Sequence, residues 1–359
     1  VGVIVLAVML IAGIVALMNS IPLSIKTIYK ASALHLGVTP RGDASLTPIF
    51  RERLLKGSPV PIDRMMTIRA SDVQVRSIVG NWPFALTAVT QEDQDYFLER
   101  LGNPTIEGRK VEAGQPEIII SKPLAVNLKK KLGDVFLSPG DEKAYSPFEV
   151  KIVGLIDSPE WVGITSYEYY VANHFPPIDL LLVWAKNRAD QDKLDRWGTE
   201  MLRGENSRTY AWYLLEEETQ NMFSILYQIL NVVIFILVVV ITIMMGMLIS
   251  IYQSQRIPEF GLLQALGFSK SRLLKRVMQE TVMVVIGGWL LGTLAAFGML
   301  NLVNALLMAP NAFMLDTLDP SAYAYTIPVP IAILAVAAWT LVRSFRKFDP
   351  ISIVERRLI

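Results

Sequence analysis

The sequence predicts an α-helical membrane protein with four transmembrane helices and a mixed α/β extracytoplasmic domain between the first and second helices. Three observations predict it. Four apolar runs reach spanning length, residues 24–221 between the first two runs are of mixed polarity, and Lys and Arg are unevenly shared among the short connections. Of 359 residues, 52% are hydrophobic and 19% charged, which calls for both an apolar and an aqueous environment.

A bilayer core needs about 20 mostly apolar helical residues. Residues 1–23, 222–251, 281–308 and 326–342 meet this, and none has a charge in its middle. Val1 already lies inside an apolar run, so a preceding segment is expected. A cleaved signal peptide is the rival reading of the first run, because Ala31-Ser32-Ala33 has the form of a cleavage site. The run is longer than a signal core, and Lys26 and Lys30 intervene, so it reads as a span.

Orientation follows from the connections. The loop at 252–280 carries Arg256, Lys270, Arg272, Lys275 and Arg276, and the tail at 343–359 carries Arg343, Arg346, Lys347, Arg356 and Arg357. The loop at 309–325 has no Lys or Arg, only Asp316 and Asp319. Basic residues stay inside, so loop 252–280, the tail and the N-terminus are predicted cytoplasmic and residues 24–221 exterior. Tyr323 and Tyr325 suit an outer interfacial belt. In the third span Gly288, Gly292 and Ala296 share a face on which two helices can approach closely. Asn301 and Asn304 are expected to bond a neighbouring helix.

Within the exterior segment, strands are predicted at 117–121, 148–156 and 179–184. Helices are predicted at 91–101 with Thr90 as N-cap, at 123–132 closed by Gly133, and at 190–203 with Leu194, Trp197, Met201 and Leu202 on one face. Asp93, Asp95, Glu107, Glu112 and Asp134 read as solvated charges, and Tyr167, Tyr169, Tyr170 and Trp161 as core or edge packing.

Several functions are disfavoured. The net charge of +1, without a basic domain or zinc-finger spacing, gives no sign of a nucleic-acid partner. No cysteine is present, which excludes disulfides, thiolate catalysis and lipidation at Cys. The two histidines, His35 and His174, read as surface residues rather than metal ligands. No nucleophile elbow, zinc-protease motif or Walker A loop occurs, so the chain is not expected to hydrolyse ATP. The spans show no ionisable residue of the kind that ion-coupled transporters use.

The loop from Arg256 to Glu280 predicts a short helix, a break and a second helix. Pro258 suits a first helical turn, Glu259 the positive helix end, Gly267 a stop and Ser269 the next N-cap. Leu262, Leu263 and Leu266 form an apolar face that needs either the membrane surface or a partner protein. This loop resembles the signature of the MacB/FtsX-like permease family of ABC transporters, the mechanotransmission or type VII class. That signature is approximately R-x-x-E-hydrophobic-G-x-L-R/K-A-hydrophobic-G-x-S/T. Arg256, Glu259, Phe260, Gly261, Leu263, Ala265, Leu266, Gly267 and Ser269 match; Gln264 replaces the usual basic residue, and Pro258 is unusual. The tail Phe348-Asp349-Pro350 through Glu355-Arg356 is similar to the family's closing element. The stretch from Gly108 to Gly154 resembles the end of its exterior domain.

The resemblance implies a permease subunit that transmits ATP-driven motion to its exterior domain, to export or extract a peptide, lipoprotein, lipid or drug. Glu259, Phe260, Gly261, Leu262, Leu263, Ala265, Leu266 and Gly267 would form the coupling helix on a cytoplasmic ABC ATPase. ATP and Mg would sit on that ATPase and no cofactor on this chain. A second permease subunit, an exterior adaptor or cargo, and a bacterial inner membrane complete the expectation. A membrane-anchored receptor or signalling protein is the alternative.

Overall fold

The computed structural model describes residues 1–173 and 175–347, without the side chains of 345–347. His174 and the tail element from Phe348 to Arg356 lie outside the described residues. In chain order the elements are α1 (Gly2–Ile28), β1 (Leu36–Pro40), α2 (Leu46–Gly57), β2 (Ile62–Ser77), β3 (Gly80–Val89), α3 (Gln91–Arg100), β4 (Ile106–Gly108), β5 (Glu117–Ser121), α4 (Lys122–Leu128) and β6 (Val135–Leu137). They continue with β7 (Val150–Ile156), β8 (Gly163–Ser166), α5 (Tyr167–Ala172), β9 (Leu180–Ala185), α6 (Gln191–Met201), β10 (Ser207–Tyr210), α7 (Trp212–Ala265), α8 (Lys270–Val303), α9 (Pro320–Ala324) and α10 (Pro328–Lys347).

Two compact units result. One holds Val1–Asn19, Ser224–Asn304 and the described residues from Leu315 on; the other holds Ser20–Phe223 with Ala305–Met314. Among the described residues four helices are long and apolar enough to cross a membrane: Gly2–Ile28, Trp212–Ala265, Lys270–Asn311 and Pro320–Ser344.

The α/β unit is built on one sheet of order β10-β1-β9-β2-β3-β8-β5-β7-β4, with β6 on β7. Strand β2 ties its halves together: Ile62–Ile68 pairs with β9, and Arg69–Ser77 pairs with β3. The β2–β3 hairpin was not predicted, although Val73 and Val75 alternate with polar neighbours and Gly80-Asn81 follows. Near the far end of β2 the buried Asn127 of α4 bonds the strand's free edge at Arg76. It accepts from Arg76 N at 2.9 Å and donates to Arg76 O at 3.0 Å.

Helix α4 is shorter than predicted. The helix ends at Leu128 rather than Leu132, with Lys129 in the left-handed region at φ 55° and Lys130 N returning to Ala125 O. Helix α3 forms with its cap, Thr90 Oγ1 accepting from Asp93 N, and Gly102 at φ 93° just past its end. Trp161, Tyr169 and Tyr170 are buried in the core. Asp93 is not a solvated charge: it is buried and accepts from Arg64 Nε at 2.7 Å. Nor is His35 a surface residue. Its ring lies 5.1 Å from that of Trp184, its Nδ1 is shut off from solvent, and burial lowers its pKa to about 4.

In the other unit α1 packs through Ile4, Val8, Ile11 and Val15 into a core shared with Leu230, Ile234 and Ile241 of α7, Val285 and Leu300 of α8, and Val329 and Ile333 of α10. The small-residue stripe of α8 faces α1. A Cβ on Gly292 would lie 2.7 Å from Val8 Cβ, and one on Gly288 3.2 Å from Ile4 Cβ, while Ala296 is fully buried. Asn301 departs from expectation: its Nδ2 donates to Phe297 O of its own helix at 2.8 Å. Asn304 begins a π turn, Asn304–Met308.

Two outcomes follow from this packing. Gly292→Val has no space against the branched Val8 and should lower stability by about 1–3 kcal/mol, read as a lower melting temperature in detergent. Gly287→Ala meets nothing within 4 Å and should not lower it. In the α/β unit Asp195 is buried beside Gln191 Nε2, at 2.8 Å. Burial raises its pKa from 3.8 to about 7, although the Gln191 bond opposes the shift. Between those values Asp195 keeps its proton in the folded chain and loses it in the unfolded chain, so its contribution to stability is full below about pH 4 and is lost as pH rises to about 7. The loss is on the order of 4 kcal/mol. Denaturant titrations across this range should show it, and Asp195→Asn should flatten it.

Candidate functional site

Helices α7 and α8 join through residues 266–269 and end in a shared tip. Helix α7 stops as the sequence suggests, with Gly267 at φ 91°, Gly267 N donating to Gln264 O and Phe268 N to Leu263 O. Ser269 then caps α8, its Oγ accepting from Arg272 N. The separate helix start expected at Pro258 is absent: α7 is one helix from Trp212 to Ala265, with Pro258 inside it. Pro at a first turn was a sound local reading, but burial of Phe260 and the bonds of Arg256 on either side carry the helix through.

The predicted tip residues separate into two faces. Phe260 is 5% exposed and packs with Leu273 and Val277 of α8 and Leu341 of α10; Leu263 packs against the same cluster. Leu262 and Leu266, one turn apart, point outward at 66% and 69% exposure. Ala265 and Gly267 are exposed, Gly261 is half-buried, and a Cβ on Gly261 would meet nothing within 4 Å. The half-buried Gln264, which stands where the resemblance expects a basic residue, has its Nε2 shielded and without a hydrogen-bond partner among the described residues.

Charge organises the base of the tip. Arg256 donates from Nε and Nη2 to Glu259 at 2.8 and 3.1 Å, and from Nη1 to Glu280 of α8 at 2.7 Å. Its guanidinium lies 5.5 Å from the Tyr252 ring and 5.4 Å from the Phe260 ring. Arg276 adds a 3.5 Å contact to Glu280. Sequence reasoning named Arg256 and Glu259 but missed Glu280, Tyr252 and Leu341 as their neighbours. The signal for Glu280 was present: Arg256 is the first charge after Glu218, and Glu280 the last before Asp316. No group of three or more His, Asp or Glu placed to hold a metal ion occurs among the described residues.

Among the described residues four helices are long and apolar enough to cross a membrane, and two of them meet in this charged, apolar-tipped hairpin. Residues 231–350, a third of the chain, match the family model described as FtsX-like permease C-terminal. The extracellular domain of the noncanonic ABC-type transporter YknZ from Gram-positive bacteria is similar at 12% identity. The match covers 49% of this chain and 99% of that one, at a TM-score of 0.31. The periplasmic region of MacB from Actinobacillus actinomycetemcomitans is similar at 8% identity, over 54% of this chain and 96% of that one, at a TM-score of 0.30. A comparison with curated proteins finds no match.

The two faces of the tip should respond differently to substitution. Phe260→Ala empties a buried position and should cost about 3 kcal/mol, read as a lower melting temperature. Leu262→Ser with Leu266→Ser removes only exposed groups and should leave that temperature unchanged.

Proposed function

We propose that this chain is the permease subunit of an ABC transporter, transmitting ATP-driven motion of a partner ATPase to the α/β domain. The observation that carries the reading is the tip. Leu262 and Leu266 stand exposed on a fixed helical hairpin whose other face is buried, an arrangement suited to a protein partner. The uneven Lys and Arg distribution supports a cytoplasmic tip and tail. Residues 24–221 are then exterior, and residues 1–23, 222–251, 281–308 and 326–342 cross a bacterial inner membrane.

In this reading Glu259, Phe260, Gly261, Leu262, Leu263, Ala265, Leu266 and Gly267 form the docking element, with Leu262 and Leu266 in direct contact. Glu259 and Phe260 set its shape through Arg256 and the Leu273–Leu341 cluster. The ATPase carries ATP and Mg. A second permease subunit completes the assembly, and an adaptor or cargo engages the exterior domain. Work is done on the outer side, on a peptide, lipoprotein, lipid or drug. The uncharged spans, which offer no ionisable relay, agree with this division of labour.

Pull-down of the full chain from detergent-solubilised membranes, with MgATP turnover measured on what co-purifies, tests the reading. A stoichiometric ATPase is expected. The Leu262→Ser, Leu266→Ser variant should retain roughly a tenth of it or less, a loss within the range of interface hot spots. An intact, folded chain that brings down no ATPase refutes the proposal.

A further inference from the structure

The positions of charge along α7 and α8 add a function for Glu280. Between Glu218 and Arg256 no residue is charged, nor is any between Glu280 and Asp316. Arg256 and Glu280 are therefore the first charges met where each long uncharged run ends. They face each other at 2.7 Å, Arg256 Nη1 to Glu280 Oε2, across 24 residues of sequence. The Arg256 side chain is 20% exposed and that of Glu280 41%, so the pair is partly shielded from water and its charge-assisted bond opposes sliding of one helix past the other more than a freely solvated pair does.

The surroundings fix the geometry of the pair. Glu259 holds two nitrogens of the guanidinium, Tyr252 and Phe260 lie close to its two sides, and the Arg256 side chain is only 20% exposed. Glu280 is anchored in turn by Arg276, one turn earlier on α8. Beyond the pair, the two helices are joined by residues 266–269 and by the Phe260, Leu273, Val277 packing. The tip is thus closed at one end by a covalent turn and at the other by an ion pair, with an apolar cluster between them.

We infer that Glu280 is a positioning residue: its pairing with Arg256 locks the register of α7 against α8, so that force on the tip enters both helices together. Without the lock, α7 can move at the tip while α8 stays, and displacement is absorbed in the hairpin. This inference rests on the permease reading, and it separates two properties of the tip. Docking depends on the outward Leu262 and Leu266; delivery of motion depends on Glu280.

Coupling is reciprocal. If tip movement is linked to nucleotide-driven closure, the docked permease must alter the nucleotide dependence of the ATPase. The test uses the full chain with its co-purifying ATPase. The ATPase retained per chain is measured, and its nucleotide Kd and MgATP turnover are followed with and without the chain. Glu280→Gln should retain the wild-type amount of ATPase while the chain-induced change in the ATPase's nucleotide Kd shrinks about fivefold or more. Because the given sequence has no cysteine, Arg256→Cys with Glu280→Cys can be bridged by a short bifunctional thiol reagent without competing thiols in it, applied before the ATPase is added. Bridging should restore the change, although neither charge is present.

A Glu280→Gln chain that alters the nucleotide Kd as the wild type does overturns the lock and leaves the permease reading standing. Loss of docking together with coupling, unrestored by the bridge, also overturns it, because Glu280 would then serve only to fold the tip. A wild-type chain that brings down no ATPase, or does not change its nucleotide Kd, overturns both readings.

Discussion

The close approach of α1 to α8 at Gly288 and Gly292 is the constraint on which the apolar unit depends. Its first helix is separated from the rest by the whole stretch Ser20–Phe223, so no local sequence preference can return α1 to its neighbours. Only packing can. Glycine at two positions four apart lets Ile4 and Val8 approach the α8 backbone, and the isoleucines and valines of α1 then fill a core lined by α7, α8 and α10. The inserted α/β unit is large enough to keep its own cores, one around Ile118 and Ile120, another around Trp184 and Phe97.

Much of this could be read from the chain because the strongest signals are local and repeated. Long apolar runs announce the helices, and β-branched runs such as Glu117–Ser121 announce buried strands. Gly267 and Ser269 mark the turn of the tip by backbone requirements that few other residues satisfy so well. What escaped reading is set by distant partners. The Asn127 amide is held by the edge of β2, and α4 ends one residue later, with Lys129 left-handed. Pro258 sits inside a helix because Phe260 is buried against residues of two other helices. The outward face of the predicted tip was assigned as a block, yet Leu263 turns inward and leaves Leu262 and Leu266 exposed. Helical spacing groups these residues without saying which neighbour will cover them. The role of Glu280 was hidden for the same reason, since its partner lies on another helix.

At the tip, apolar and ionic contacts perform separate tasks. The Phe260 cluster supplies cohesion without direction, whereas the Arg256 fork supplies direction, because a planar guanidinium accepts carboxylates only in a few orientations. A lysine at 256 would keep the charge and lose the fork.

The α/β unit also claims Ala305–Met314, a segment that follows α8 by sequence. Asn127 Nδ2 donates to Asn311 O at 2.8 Å, and Ser24 Oγ lies 3.3 Å from Met314 N. A ribosome delivers this segment only after it has made both long helices, α7 and α8. The sheet can assemble earlier, but its last contacts wait for that later chain, so final closure of the α/β unit is timed by the synthesis of its neighbour.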